Sequence, residues 1–388
     1  MPITGPRITP DSFFTTTTPS TISPPDESSP VTIYFITGNP GLIGYYHTFL
    51  SLLSSYLSSS PSSQESVPDS FHIYGHSLGG FEVGTESESE SESSNENDDG
   101  NKKIRERQGK EPKLYGLEQQ IHLVESRLEA FMSANTSGLR SSTQSGLHRP
   151  RAILMGHSVG AYIAMEILRR HREEFSSRAG FDIIGGVLLF PTVMDTASSP
   201  AGKKLTRLLY FIPQLALVAS LLAKFLTFLF PDVVLRSLIR PVIGFPPEDA
   251  VETTLAFLKS KRGVRQALHM AADEMRDITT DKWSDDIWGT QTASSSSPSS
   301  NGSSSSSTGK KLSKLIFYFG RNDHWVAERT RDEIIAMRSS ISSGNNKNTS
   351  GPKMVVCEEG LPHAFCIRHN DIMARKVAGF IREILAEQ

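Results

Sequence analysis

The chain has 388 residues, 37% of them hydrophobic, and a formal net charge of -2. This supports a sizeable core and provides no overall basic field, so nucleic acid is not an expected partner. Cys357 and Cys366 are the only cysteines, too few for a disulfide framework or a structural zinc site, and they fit a reducing, intracellular compartment.

Residues 1–30 are rich in Thr, Ser and Pro, lack the basic start and apolar stretch of a secretory signal, and read as a flexible segment. One domain is expected over 31–388, beginning with a β-prone run at 31–36. Thr37-Gly38-Asn39-Pro40-Gly41 signals a turn, and the apolar spacing over 42–57 suits a helix. Residues 71–74 form a second strand candidate. The tract 84–110 is acidic from Glu86 to Asp99 and then basic through Lys102, Lys103, Arg105, Arg107 and Lys110; with so little apolar area to bury, it predicts a disordered insertion.

Ile121, Val124, Leu128 and Phe131 are spaced by three or four residues and predict a helix over 114–131, followed by a loop over 132–149. Strand, helix and strand are then expected at 151–155, 161–170 and 183–190, the pattern of a parallel βαβ unit. Helical stretches over 203–275 interrupt the alternation, and a serine-rich tract marks a second insertion at about 290–310. Two further strand and helix pairs follow, at 315–319 with 326–337 and at 353–357 with 371–385. The expected class is α/β, with a mostly parallel central sheet and a helical, apolar cap insertion.

Two segments match G-x-S-x-G: Gly75-His76-Ser77-Leu78-Gly79 and Gly156-His157-Ser158-Val159-Gly160. The pattern carries chemistry when its small residues allow a sharp turn from strand to helix, which lifts the serine hydroxyl above the sheet. Ser158 has a readable strand before it and a readable helix after it. Ser77 is followed by more glycine and the acidic tract, which makes a poor helix. Ser158 is therefore the preferred nucleophile, although Gly and Ser also make ordinary turns.

A serine nucleophile of this type needs an acid and then a histidine later in the chain. Asp323 follows the strand at 315–319, and His363 follows the strand at 353–357, which puts both in loops at the carboxyl ends of parallel strands. Asp195 is a competing acid, whereas Asp332 and Glu333 read as a solvated helix surface. His324 and His369 are competing bases that could instead cap or orient loops. The oxyanion donors are expected to be Val159 N–H and, because Pro40 has no N–H, either Asn39 or Gly41. No phosphate-loop or dinucleotide pattern is present, and this chemistry calls for no metal or organic cofactor.

Between Leu208 and Phe230 the only formal charge is Lys224, and Pro213 and Gln214 interrupt the apolar pattern. The stretch is long enough to span a bilayer, but a single crossing would split one folding domain across the membrane. A lipid-surface contact or a buried cap is physically easier. In the surface reading Lys203, Lys204, Arg207, Arg236 and Arg240 face anionic headgroups.

The segments Gly38-Asn39-Pro40-Gly41, Gly156 to Gly160, Leu189-Phe190-Pro191-Thr192, Phe319 to Trp325 and His363-Ala364-Phe365 together resemble the lipid droplet-associated hydrolase family, a branch of the α/β-hydrolases, in a fungal-type form. The resemblance runs discontinuously from about Val31 to the C-terminus, with Thr37 standing where the family often has Pro. It implies Ser158 as nucleophile, Asp323 as triad acid and His363 as base. It further implies association with lipid droplets and endoplasmic-reticulum membranes, and hydrolysis of neutral lipid or sterol esters. Two other readings stay open: a droplet- or membrane-bound structural or regulatory protein with little turnover, and a soluble, cytoplasmic hydrolase of small esters.

Overall fold

Eight strands form one sheet in the computed structural model, which describes residues 6–17, 30–59, 70–84, 113–136, 149–175, 180–212, 214–290, 312–339 and 351–387. They are β1 (Arg7–Thr9), β2 (Ser12–Thr17), β3 (Val31–Ile36), β4 (Phe71–His76), β5 (Arg151–His157), β6 (Asp182–Leu189), β7 (Lys314–Phe319) and β8 (Lys353–Val356). Their order across the sheet is β1-β2-β4-β3-β5-β6-β7-β8. From β4 to β8 every pairing is parallel, and the β1–β2 and β2–β4 pairings are antiparallel. This is an α/β-hydrolase fold.

The sheet is buried on both faces, so β3 is wholly apolar inside apart from Thr32. Side chains alternate between faces: Ile33 and Phe35 join one core, and Tyr34 and Ile36 join the other. The helices α1 (His47–Ser58) and α10 (Asn370–Ala386) cover the first face, while α2 (Leu117–Thr136) and α3 (Val159–Arg170) cover the second. In α2 the buried residues Leu117, Ile121, Val124, Leu128 and Phe131 keep the helical spacing read from the sequence, but the helix continues through Thr136 into the stretch expected to be a loop.

The expected start at Val31 is corrected. Residues Ser12–Thr17 pair along the whole of β4, and Phe13 and Phe14 enter opposite cores. The insertions expected at 84–110 and about 290–310 lie almost wholly outside the described residues.

Between β6 and β7 comes the cap: α4 (Pro200–Phe211), α5 (Leu215–Leu229), α6 (Asp232–Ile243), α7 (Glu248–Lys259) and α8 (Gly263–Asp277). The long apolar stretch is divided between α4, which ends at Phe211, and α5, which begins at Leu215. No single helix among the described residues is long and apolar enough to cross a membrane; α4 and α5 meet the criterion only together, across a 93° bend. Much of their apolar surface faces outward, including Tyr210 at 79%, Phe225 at 58% and Phe228 at 90% exposure. The cap touches the loops at the carboxyl edge of the sheet: Ala201 N–H donates to His324 O at 2.8 Å, and Arg368 donates to Ile243 O at 3.3 Å.

Candidate active site

Strand β5 enters helix α3 through Ser158, whose φ of 55° and ψ of -124° lie outside the usual regions for an L-residue. Such a conformation costs about 1–3 kcal/mol and persists only where its surroundings hold it. Here the flanking glycines let the chain close. A Cβ on Gly156 would come within 2.3 Å of Gly160 O, and a Cβ on Gly160 within 2.4 Å of Ile36 O. Ser158 N–H donates to Leu189 O at 3.0 Å.

The loops after β7 and β8 bring the other two residues to this serine. His363 Nε2 lies 2.9 Å from Ser158 Oγ, and His363 Nδ1 lies 2.8 Å from Asp323 Oδ2. A carboxylate only accepts, so Nδ1–H donates to Asp323 and the bare Nε2 accepts the Ser158 hydroxyl. Asp323 is held in turn by Trp325 N–H at 2.8 Å, and its side chain is almost wholly buried. This arrangement can pass the serine proton to an imidazole whose developing charge faces a carboxylate.

The competing residues lie in other settings. Asp195 accepts from Ser198 Oγ at 2.8 Å, and Asp332 and Glu333 pair with Arg331 and Arg329 on the exposed face of α9 (Glu328–Ser339). His324 is exposed, and His369 precedes α10. Ser77 is fully buried, accepts Ile43 N–H at 3.2 Å, and is followed by no helix through Gly84. The second G-x-S-x-G match thus forms a packed turn between the hairpin and the loop after β3.

That loop lies directly against the Ser158 turn. A Cβ on Gly38 would come 2.9 Å from His157 Nδ1 and 3.1 Å from Ser158 Cβ. Val159 opens α3, where N-terminal N–H groups lack helical acceptors. Gly41 O accepts Leu78 N–H at 2.8 Å, and the Asn39 side chain donates into the cap.

Sequence reasoning overlooked His157 and Tyr46. His157 Nε2 lies 2.9 Å from His363 O, which can only accept; the ring is therefore protonated at Nε2 and accepts Tyr46 O–H at Nδ1, 2.7 Å away. Tyr46 Oη also accepts Gly38 N–H at 3.3 Å. Burial, reinforced by the nearby His363, keeps the His157 imidazole well below its ordinary pKa, so it serves as a neutral strut.

The description lipid-droplet associated hydrolase matches residues 29–366. The chain belongs to this family. A lipid droplet-associated hydrolase of Gallus gallus is 28% identical over 361 residues, covering 91% of this chain and 85% of that relative. One from Dictyostelium discoideum is 23% identical over 355 residues, covering 91% and 88%. These relatives are a vertebrate and a slime mould and lend no support to a fungal-type form. Among solved structures, a haloalkane dehalogenase from Bradyrhizobium elkani aligns over 97% of this chain and 96% of its own at 12% identity, with a TM-score of 0.46, a likeness too weak to bear on activity. Family and fold together make the chain an α/β-hydrolase-fold hydrolase.

Proposed function

We infer that the protein is a serine ester hydrolase acting on lipid esters, neutral lipid or sterol ester, at the surface of lipid droplets. The observation that carries the chemistry is the continuous contact from Ser158 Oγ through His363 to Asp323. In this mechanism His363 takes the Ser158 proton as Oγ attacks the ester carbonyl, and Asp323 stabilises the imidazolium. The tetrahedral oxyanion is received by Val159 N–H and by Asn39 or Gly41 N–H. The alcohol leaves with the proton from His363, and water then releases the acid with His363 again as base.

The lipid preference is supported by the outward apolar face of α4 to α6, continued by Val233, Val242 and Phe245. So many outward apolar side chains on successive helices are unusual on a protein that meets only water. Arg236 and Arg240, expected to face headgroups, are instead paired with Glu252 at 3.0 Å and Glu248 at 2.7 Å. Lys203, Lys204 and Arg207 stay exposed on α4, so the apolar face keeps part of the cationic rim expected of it and suits a droplet monolayer, with endoplasmic-reticulum membrane as a second surface. The same face also favours a second reading, a droplet-bound regulatory protein with little turnover.

Comparing lipid turnover on isolated droplets for wild type and Ser158→Ala at matched abundance separates the two readings. Loss of both turnover and fluorophosphonate labelling in the variant, with droplet binding retained, is expected. Unchanged labelling in Ser158→Ala would reject the nucleophile.

A further inference from the structure

We propose that Asn39 and Glu274 form a clamp through which cap helix α8 positions the turn after β3, so that the cap sets the oxyanion donor geometry of the site. The proposal rests on the ester-hydrolase reading above and makes Glu274 a positioning residue, remote from the reacting atoms.

Ala267 and Glu274 are two helical turns apart and therefore share one face of α8. The Asn39 amide nitrogen bonds to both, donating to Ala267 O at 2.9 Å and to Glu274 Oε1 at 2.8 Å. Because a carbonyl and a carboxylate are acceptors, the amide can face them only with its NH2 group. Asn39 Oδ1 then points elsewhere, buried and without a protein partner. Gly38 is tied to Tyr46 and Gly41 to Leu78, while the Asn39 side chain between them reaches across to the cap.

Glu274 is an unusual choice for a purely structural contact. It is 5% exposed, and among the described residues no cation contributes to its electrostatics. On its own helix Arg276 turns to Asp273 and Asp277, and Asp273 also accepts Leu117 N–H at the start of α2. The turn after β3 offers it only the neutral Asn39 amide. Burial pushes the carboxyl up to about 7, the Asn39 bond draws it down, and Asp273 adds repulsion. A glutamine would accept the same bond without burying a charge. Ionised, Glu274 grips Asn39 through a charge-assisted bond roughly twice as strong as a neutral one; protonated, it loosens the turn.

The test uses the full chain with a short p-nitrophenyl ester across about pH 5 to 9, comparing wild type, Glu274→Gln, Asn39→Ala and Ser158→Ala. In wild type the acid limb of log kcat/KM should take on a steeper stretch that levels off after about tenfold, since protonating Glu274 can remove no more than Asn39→Ala removes. Glu274→Gln should lack this steeper stretch. Asn39→Ala should lower kcat roughly tenfold with KM within about twofold, the signature of an interaction made in the transition state. The same acid limb in wild type and Glu274→Gln, or unchanged kcat in Asn39→Ala, overturns the clamp. Should Asn39→Ala fail to fold by thermal melting, Glu274→Gln decides alone, because it keeps the shape and the acceptor. Turnover retained by Ser158→Ala would instead refute the hydrolase reading, whereas its loss beside unaffected clamp variants refutes only the clamp.

Discussion

Three hydrogen bonds run from Gly38 through Tyr46 and His157 to the carbonyl of His363, joining the turn after β3, the Ser158 turn and the His363 loop. The His363 carbonyl, which only accepts, fixes the proton on His157 Nε2, and the Tyr46 hydroxyl satisfies the bare Nδ1. Without that hydroxyl, His157 Nδ1 and Gly38 N–H each lose a buried partner. Tyr46→Phe is therefore expected to cost about 1–3 kcal/mol of stability, as two buried polar groups lose a partner. It should also slow fluorophosphonate labelling of Ser158 roughly tenfold; denaturant unfolding and labelling kinetics check the two effects. Ser158, Asp323 and His363 were legible in the sequence because a local pattern and a chain order constrain them. His157 sits inside the same pattern at a position any residue can occupy, and its partners Tyr46 and His363 lie 111 and 206 residues away. Glu274 likewise has no local signature, since its meaning comes from Asn39, 235 residues distant.

Helix α5 is apolar nearly all round but buries few residues, among them Leu215 and Ala223. Leu221, Leu222 and Phe225 are each more than half exposed, so replacing them with serine should leave folding intact. Each side chain moved from water into a lipid surface contributes on the order of 1–2 kcal/mol, and the triple variant should lose droplet or vesicle partitioning by at least about tenfold in a flotation assay. Unchanged flotation would remove the lipid-facing role of this helix. The inner strands were readable as short continuous apolar runs and the amphipathic helices by their period, both imposed by burial. The β1–β2 hairpin was not, because Phe13 and Phe14 are set among threonines whose β-branched preference for strands is hidden by the surrounding Ser and Pro. The cap's extent and the interruption of its apolar stretch were readable, and a lipid-surface contact was one of two readings, but which side chains face outward was not, because that depends on packing.

Over the whole molecule, the buried acid of the cap links stability to pH. The folded Glu274 carboxyl titrates near 7 against an ordinary 4.5, so between these values the folded state holds the proton that the unfolded chain has released. Its contribution to stability should fall by about 3 kcal/mol as pH rises through that window and stay level above it. Glu274→Gln lacks this dependence, and urea unfolding of both proteins on either side of the window measures the difference. The N-terminal hairpin has another consequence at this scale. Strand β4 would otherwise end the sheet with a row of six residues open to pairing, a ready template for a second chain. The hairpin replaces it with the three residues of β1, narrowing the surface on which crowded copies of the protein could join edge to edge.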